Sequence, residues 1–272
     1  MDYFHVHRPL PGVFHLEDPR GVFLTLLAGK ERALLIDTGM GIGNAARAVR
    51  ELTDLPLTVC NTHGHVDHVG GNYQFDRVLV PPGDLKIIRE HLTRHVRELL
   101  IDMSPIIPED FQRDVYLDYA FDNVEPLALD AVMDLGGMTV RIVPLPTHSA
   151  GAVGYYVPEL RLLLTGDSVA PMVYLVFEDS CSVEFHADFM EKLRDEIPAR
   201  WLLSAHTDRL IPWEEIDTYI ECARAADINQ TVRGRGPLVF DYHGRMFFYE
   251  SKKRPGETAI LVFTRDKLGS AT

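Results

Sequence analysis

Cysteine is scarce in this chain of 272 residues: Cys60, Cys181 and Cys222 are odd in number, widely spaced and form no CxxC pair. That excludes a disulfide framework and fits a reducing, intracellular compartment. No apolar run approaches the roughly 18–20 residues needed to cross a bilayer. The start, Met1-Asp2-Tyr3-Phe4-His5, lacks a basic n-region and an apolar h-region. The expectation is a cytoplasmic protein with no signal peptide and no membrane partner. Cations are also few, since 27 Lys+Arg against 40 Asp+Glu give a formal charge of −13. Such a surface repels polyanions, so nucleic acid is not an expected partner. The densest basic run, Lys252-Lys253-Arg254, reads as a solvated loop. Gly70-Gly71 is not followed by Lys-Ser/Thr, so it is a close-packing turn and not a phosphate loop. No Ser/Gly-rich linker divides the chain, and residues 1–272 are expected to form one domain.

Apolar residues make up 46% of the chain, enough for a sizeable core. The first forty residues read as strands at Val13–Leu16, Val22–Ala28 and Ala33–Ile36, the last ending at the turn Asp37-Thr38-Gly39. Helical periodicity follows from Ile42 to Leu52, then strands at Leu57–Cys60 and Val78–Val80. A helical period over Asp84–Leu100 leads into Met103–Phe121, rich in Pro, Asp and aromatics. This stretch, about 82–125, interrupts the strand–helix rhythm and is expected to be an insertion over the site. Strands are expected again at Val132–Leu135, Thr139–Leu145, Val153–Val157, Leu162–Leu164, Trp201–Leu203, Leu238–Phe240, Met246–Tyr249 and Ala259–Phe263. Helices are expected at about Ala187–Glu196 and Trp213–Val232. Strands followed by helices in both halves point to an α/β chain of two similar sheet-plus-helix layers packed sheet on sheet.

The chemistry concentrates in His63-Gly64-His65-Val66-Asp67-His68, four potential metal ligands in six residues after an apolar strand. Three later segments place one more ligand type just past an apolar run: His148, Asp167 and His206. If those strands lie side by side, seven ligands converge, enough for two ions. On an extended backbone His63 and His65 project the same way and reach one ion, while Asp67 and His68 suit a second. Imidazole and carboxylate favour borderline divalent metals, zinc first, then iron or manganese. No cysteine falls among the seven, which excludes a closed Cys-type structural zinc site.

In this order, His63-x-His65-x-Asp67-His68, His148, Asp167 and His206 resemble the metallo-β-lactamase-fold hydrolases, most closely their glyoxalase II-like and lactonase-like branches. The resemblance runs from about Val13 to His206 and includes Asp37-Thr38-Gly39. It implies a four-layer αββα sandwich of two mixed sheets with outer helices and the site at one sheet edge. It implies one ion on His63, His65 and His148, a second on Asp67, His68 and His206, and Asp167 bridging. Asp67 would also orient the bridging hydroxide and pass a proton to the leaving group. Asp167 stands where the cysteine-ligand lactamases have Cys. Ala170 stands where acyl-homoserine lactonases carry Tyr, with Tyr174 nearby but out of register. The C-terminal part has too few basic residues for a glutathione grip.

Other candidates read more plainly. His5 and His7 are expected on a polar strand face, and His91 and His95 on a solvated helix face. His15 has no evident partner, and His186 and His243 are possible pocket residues. Asp37 reads as a turn residue supporting the His63 loop by hydrogen bonding, with Ser149 and Ser168 flanking ligands. The apolar run Pro171–Phe177, with Met103, Ile106, Ile107, Phe111, Tyr116, Tyr119 and Phe121, either walls a pocket over the metals or forms core or a dimer contact. The leading expectation is a binuclear metal hydrolase that cleaves a thioester, lactone or related acyl bond in a small, fairly apolar substrate through a metal-bridging hydroxide. Its alternatives are a mononuclear iron persulfide or thiol dioxygenase and a non-catalytic metal-stabilised binding protein.

Overall fold

The computed structural model describes residues 3–233 and 243–269. The strand expected at Leu238–Phe240 lies outside the described residues.

The first sheet runs in the order of its strands: β1 (His5–Leu10), β2 (Val13–Glu17), β3 (Phe23–Ala28), β4 (Ala33–Ile36), β5 (Leu57–Cys60), β6 (Val78–Val80) and β7 (Val124–Pro126). Pairing is antiparallel from β1 to β4 and parallel from β4 to β7. The parallel half needs crossovers, and α1 (Ala45–Leu52) and α2 (Val66–Val69) lie in two of them. The 42–52 expectation began too early because the side chain of Asn44 accepts a hydrogen bond from Arg47 N and caps α1 there. Between β6 and β7 the chain forms α3 (Leu85–His91), α4 (Arg94–Met103) and α5 (Arg113–Asp118). The single helix expected over 84–100 is therefore two. Thr93 caps the second by accepting from Val96 N, which breaks the run at Leu92-Thr93.

The second sheet is built from β8 (Val132–Asp134), β9 (Thr139–Pro144), β10 (Val153–Val157), β11 (Leu162–Gly166), β13 (Trp201–Ser204) and β14 (Ile211–Pro212), in the order β14-β13-β11-β10-β9-β8. The parallel pair β11 and β13 is joined through β12 (Met172–Leu175) and α6 (Val183–Glu196). That helix starts four residues earlier than expected, at the cap Ser182. After β14 come α7 (Ile216–Ala225), β15 (Val232–Arg233), β16 (Arg245–Glu250) and β17 (Thr258–Phe263). The expected helix Trp213–Val232 survives only in α7. Asp227 turns back to accept from Asn229 N, and that local bond competes with further helix.

Alternation along each strand sorts side chains between layers. Leu34, Ile36, Cys60, Val153, Tyr155, Leu162, Leu164 and Leu203 fill the space between the two sheets. Leu35, Val59, Val78 and Val80 turn outward under α1, α3 and α4. On the other side Tyr156, Leu163 and Leu202 meet α6 and α7. The result is the expected αββα order. The sequence did not announce a third sheet, β12-β17-β16-β15, which packs Phe247, Leu261 and Phe263 against the α6/α7 layer. Among the described residues no helix is long and apolar enough to cross a membrane.

Candidate metal centre

Every ligand-type residue lies just past the C-terminal end of a strand. His63 to His68 follow β5, His148 follows β9, Asp167 follows β11 and His206 follows β13. Since β5, β9, β11 and β13 end at the same edge, the folded sheets collect residues spread over more than half the chain. Two groups result, His63 with His65 and His148, and Asp67 with His68, Asp167 and His206; within each, the ligand atoms lie within 4.8 Å of one another. His65 Nδ1 faces His148 Nε2 at 2.8 Å. Asp167 sits between the groups. Its Oδ2 is 3.6 Å from His148 Nε2, while its Oδ1 is 3.4 Å from His68 Nε2 and 3.2 Å from His206 Nε2. Asp67 Oδ2 lies 3.6 Å from His68 Nε2 and 3.5 Å from His206 Nε2.

Hydrogen bonds behind the rings fix which nitrogen faces the cluster. His68 Nδ1 donates to Asp37 Oδ2 at 2.9 Å, which turns its Nε2 toward the cluster. Asp37 also accepts from Thr62 N at 2.7 Å and from Thr62 Oγ1 at 2.8 Å, and Thr62 Oγ1 in turn accepts from His63 Nδ1 at 3.0 Å. His148 Nδ1 donates to the carbonyl of Tyr174, on β12, at 2.7 Å. Such partners hold an imidazole in the tautomer and orientation a metal requires. The His206 loop is tied to the other sheet: Phe23 N donates to Ala205 O, and His15 Nε2 donates to Thr207 O at 3.0 Å. Asp84 joins the two loops of the imidazole trio. Its carboxylate accepts from Gly64 N at 2.7 Å, Ser149 Oγ at 2.7 Å and Gly151 N at 2.9 Å.

The two groups differ electrostatically. Burial, then the neighbouring His68, holds His63 well below the ordinary imidazole range. Burial and His148 do the same to His65, so these two rings are neutral. In the second group burial opposes charge, but the carboxylates outweigh it. Asp67, Asp167 and Asp37 hold His68 well above the usual range, and Asp167 and Asp67 push His206 up to about 10. Burial likewise works against ionised Asp67 and Asp167, yet the two histidines keep both carboxyls well below the ordinary range. Positive charge is drawn to this second group from whatever source supplies it.

All seven ligand candidates are thus brought together, with Asp37 and Ser149 placed as supports. Ser168 instead donates to Leu145 O and braces the strand end. The expectation for His91 and His95 needs correction. His95 is exposed, but His91 turns inward and stacks on the His65 ring at 5.0 Å, because the helix breaks between them. His7 contacts Glu17, His15 and His186 are buried in the core, and His243 is exposed. The apolar stretches divide. Tyr116 is core, donating to Met40 O beside Ile42 and Ile101, whereas Ile106 and Ile107 are exposed. Val173 and Leu175 are core, and Phe177 lies against His65 at 4.2 Å. Sequence reasoning missed Asp84, whose only sequence mark is its place after Pro81-Pro82-Gly83 at a helix start. It missed the Tyr174 carbonyl entirely, since a main-chain acceptor carries no side-chain signal.

The residues fit a metal. His63 Nε2, His68 Nε2 and Asp167 Oδ1 are buried without a hydrogen bond, a state that costs about 1–3 kcal/mol per group unless something binds there. Five imidazoles and two carboxylates are a donor set for borderline divalent ions. With the sandwich and this edge cluster in place, the class is that of αββα proteins with a candidate metal centre at the sheet edge. The comparisons agree. Residues 5–207 match the family model described as the metallo-beta-lactamase superfamily, and the chain belongs to that superfamily. Among curated relatives, it is 26% identical over 159 residues to the human acyl-coenzyme A thioesterase MBLAC2, covering 53% of this chain and 57% of that protein. It is 27% identical over 150 residues to the hydroxyacylglutathione hydrolase GloC of Haemophilus influenzae, covering 51% and 61% respectively. The chain thus spans little more than half the length of these relatives. A solved metallo-beta-lactamase from Pontibacter korlensis superposes with a TM-score of 0.56 at 18% identity, over 82% of this chain and 100% of that one.

Proposed function

We propose that this chain is a binuclear metal-dependent hydrolase cleaving an ester-type bond, whether thioester, lactone or related acyl bond, in a small, fairly apolar substrate. The observation that carries the reading is the placement of Asp167 between two ligand groups, with one oxygen toward each. His63 Nε2, His65 Nδ1 and His148 Nε2 would hold one ion, Asp67, His68 and His206 a second, and Asp167 both. Zinc is the first choice for each, with iron or manganese as substitutes. When bound, such a pair lowers the pKa of a water toward about 7 and polarises the acyl oxygen under attack.

The chain's own groups supply the rest. Asp67 is partly exposed and close to His206, also exposed, so this side of the cluster is the one a substrate reaches. Asp67, ionised, would take the proton released by the attacking water and return it to the leaving group. Phe177 and His91 cover the trio from the other side and keep water away from it. The thioesterase and hydroxyacylglutathione hydrolase relatives support an acyl substrate. We take the whole chain, including the helical segment 82–125, as one domain.

Elemental analysis of the purified protein, with hydrolysis assays on a thioester, lactones, a cephalosporin, a phosphodiester and an aryl ester, tests this. About two equivalents of zinc and acyl-ester turnover are expected, with Asp67→Ala reducing turnover about 10²–10⁴-fold. Less than one equivalent of metal, together with undiminished turnover in Asp67→Ala and His206→Ala, would sink the proposal. Iron alone with oxygen uptake on a persulfide would replace it by a dioxygenase.

A further inference from the structure

The superfamily match ends at residue 207, yet the chain beyond it reaches back to the metal centre. Strand β17 pairs in parallel with β12, aligning Val262 with Tyr174, whose carbonyl orients His148. Just past β17 the turn Arg265–Lys267 carries a buried lysine. Its ammonium donates to Glu178 O at 2.9 Å and Ser180 O at 2.6 Å, and it forms no ion pair among the described residues. Burying an ammonium costs free energy unless its protons are used. Here they draw two carbonyls of one loop toward a single point.

That loop is bonded to the His148 loop at three places. Ser180 Oγ donates to His148 O at 2.7 Å, Cys181 N donates to Thr147 O at 2.9 Å, and Ala150 N donates to Asp179 Oδ2 at 3.1 Å. The same loop begins at Phe177, whose ring packs on His65 at 4.2 Å and on His148 at 5.6 Å. We infer that Lys267 is a positioning residue for the imidazole trio: it pins the 177–181 loop, and that loop sets His148 and covers His65. Among the described residues the Asp67, His68 and His206 side has no comparable tie to this segment, being braced by Asp37 and by β3. Loss of Lys267 therefore weakens one ion selectively.

The inference rests on the two-ion reading above, and zinc alone is the probe. Zinc release to a chromophoric chelator is followed for the wild type, Lys267→Met, Lys267→Arg and Ser180→Ala, with far-UV circular dichroism as a check on folding. The wild type should hold two equivalents. In Lys267→Met one equivalent should leave at least about tenfold more readily and the other at its wild-type affinity. Lys267→Arg should restore the first, and Ser180→Ala, cutting the chain of contacts at His148, should reproduce the defect. If Lys267→Met does not fold, Ser180→Ala decides. Two undisturbed equivalents in the variants, or equal weakening of both, would overturn the inference. A wild type with one equivalent would sink the two-ion reading instead, and the inference would then be decided by whether Lys267→Met weakens that ion.

Discussion

Asp37 holds a left-handed backbone at φ 63°, a conformation that costs about 1–3 kcal/mol for a residue with a side chain. The strain is offset by the three bonds its carboxylate makes there, to Thr62 N, Thr62 Oγ1 and His68 Nδ1. Another buried residue, His15, does a comparable job for the His206 loop and brings a measurable pH dependence. Burial pushes its imidazole down to about 4, with the Thr207 carbonyl offsetting part of the shift. An unfolded chain protonates the same ring near 6.5. The contribution of His15 is therefore intact above pH 6.5 and declines as the unfolded state takes up its proton, a loss of about 3 kcal/mol once the pH reaches about 4. Replacing His15 with Phe removes this term and keeps a ring against Phe23. In metal-free protein, the stability advantage of wild type over His15→Phe should shrink by about 2–3 kcal/mol between about pH 7 and pH 4.5. Denaturant titrations at the two pH values measure it, and an unchanged gap would contradict the assignment.

At the level of elements, the strand ends carry the site, and their local geometry is narrow. Gly166 closes β11 at φ +52°, and a Cβ there would stand 2.7 Å from Thr62 Oγ1, the hydroxyl that links Asp37 to His63. Gly166→Ala should therefore cost about 1–3 kcal/mol of stability and loosen bound metal as well. Gly256 is the control, with φ +90° and nothing within 4 Å of an added Cβ. Its alanine variant should show backbone strain in a urea titration but normal metal retention. Equal metal retention in both variants would mean that Thr62 yields without consequence. Elements also account for the misread helices. Apolar periodicity runs through 84–100 and 213–232, but Thr93 and Asp227 divert their neighbours' backbone amides to side-chain oxygens. Whether a Thr or Asp does this or points to solvent depends on packing that periodicity does not contain.

For the whole molecule, metal binding at this cluster would be one equilibrium with folding. Seven ligand-type side chains from both sheets converge at one edge, so an ion bound there ties the sheets together. An ion that binds only the folded chain stabilises it by about 2.7 kcal/mol at 100 times its Kd. Chelation should lower the thermal midpoint accordingly, and returning zinc should restore it. Taken as one domain, the chain should lose secondary and tertiary signals in a single coincident transition. A midpoint indifferent to chelator would show that the ligand cluster contributes nothing to the fold.

The sequence alone determined the candidate ligand set, its order and the two-layer sheet arrangement. A ligand at a strand end is written locally, as one residue type after an apolar run, and strand alternation needs only nearest neighbours. Asp37 was readable for the same reason, as a turn residue beside a strand end. Only the tertiary structure decided the rest. Asp84, the Tyr174 carbonyl, His91 and Lys267 act through partners between 20 and 89 residues away, and main-chain acceptors leave no trace in residue type. The third sheet is of the same kind, because β12 finds its parallel partner only after the chain has passed α6, β13 and α7. Local chemistry chose the candidate ligands, and long-range packing chose what holds them still.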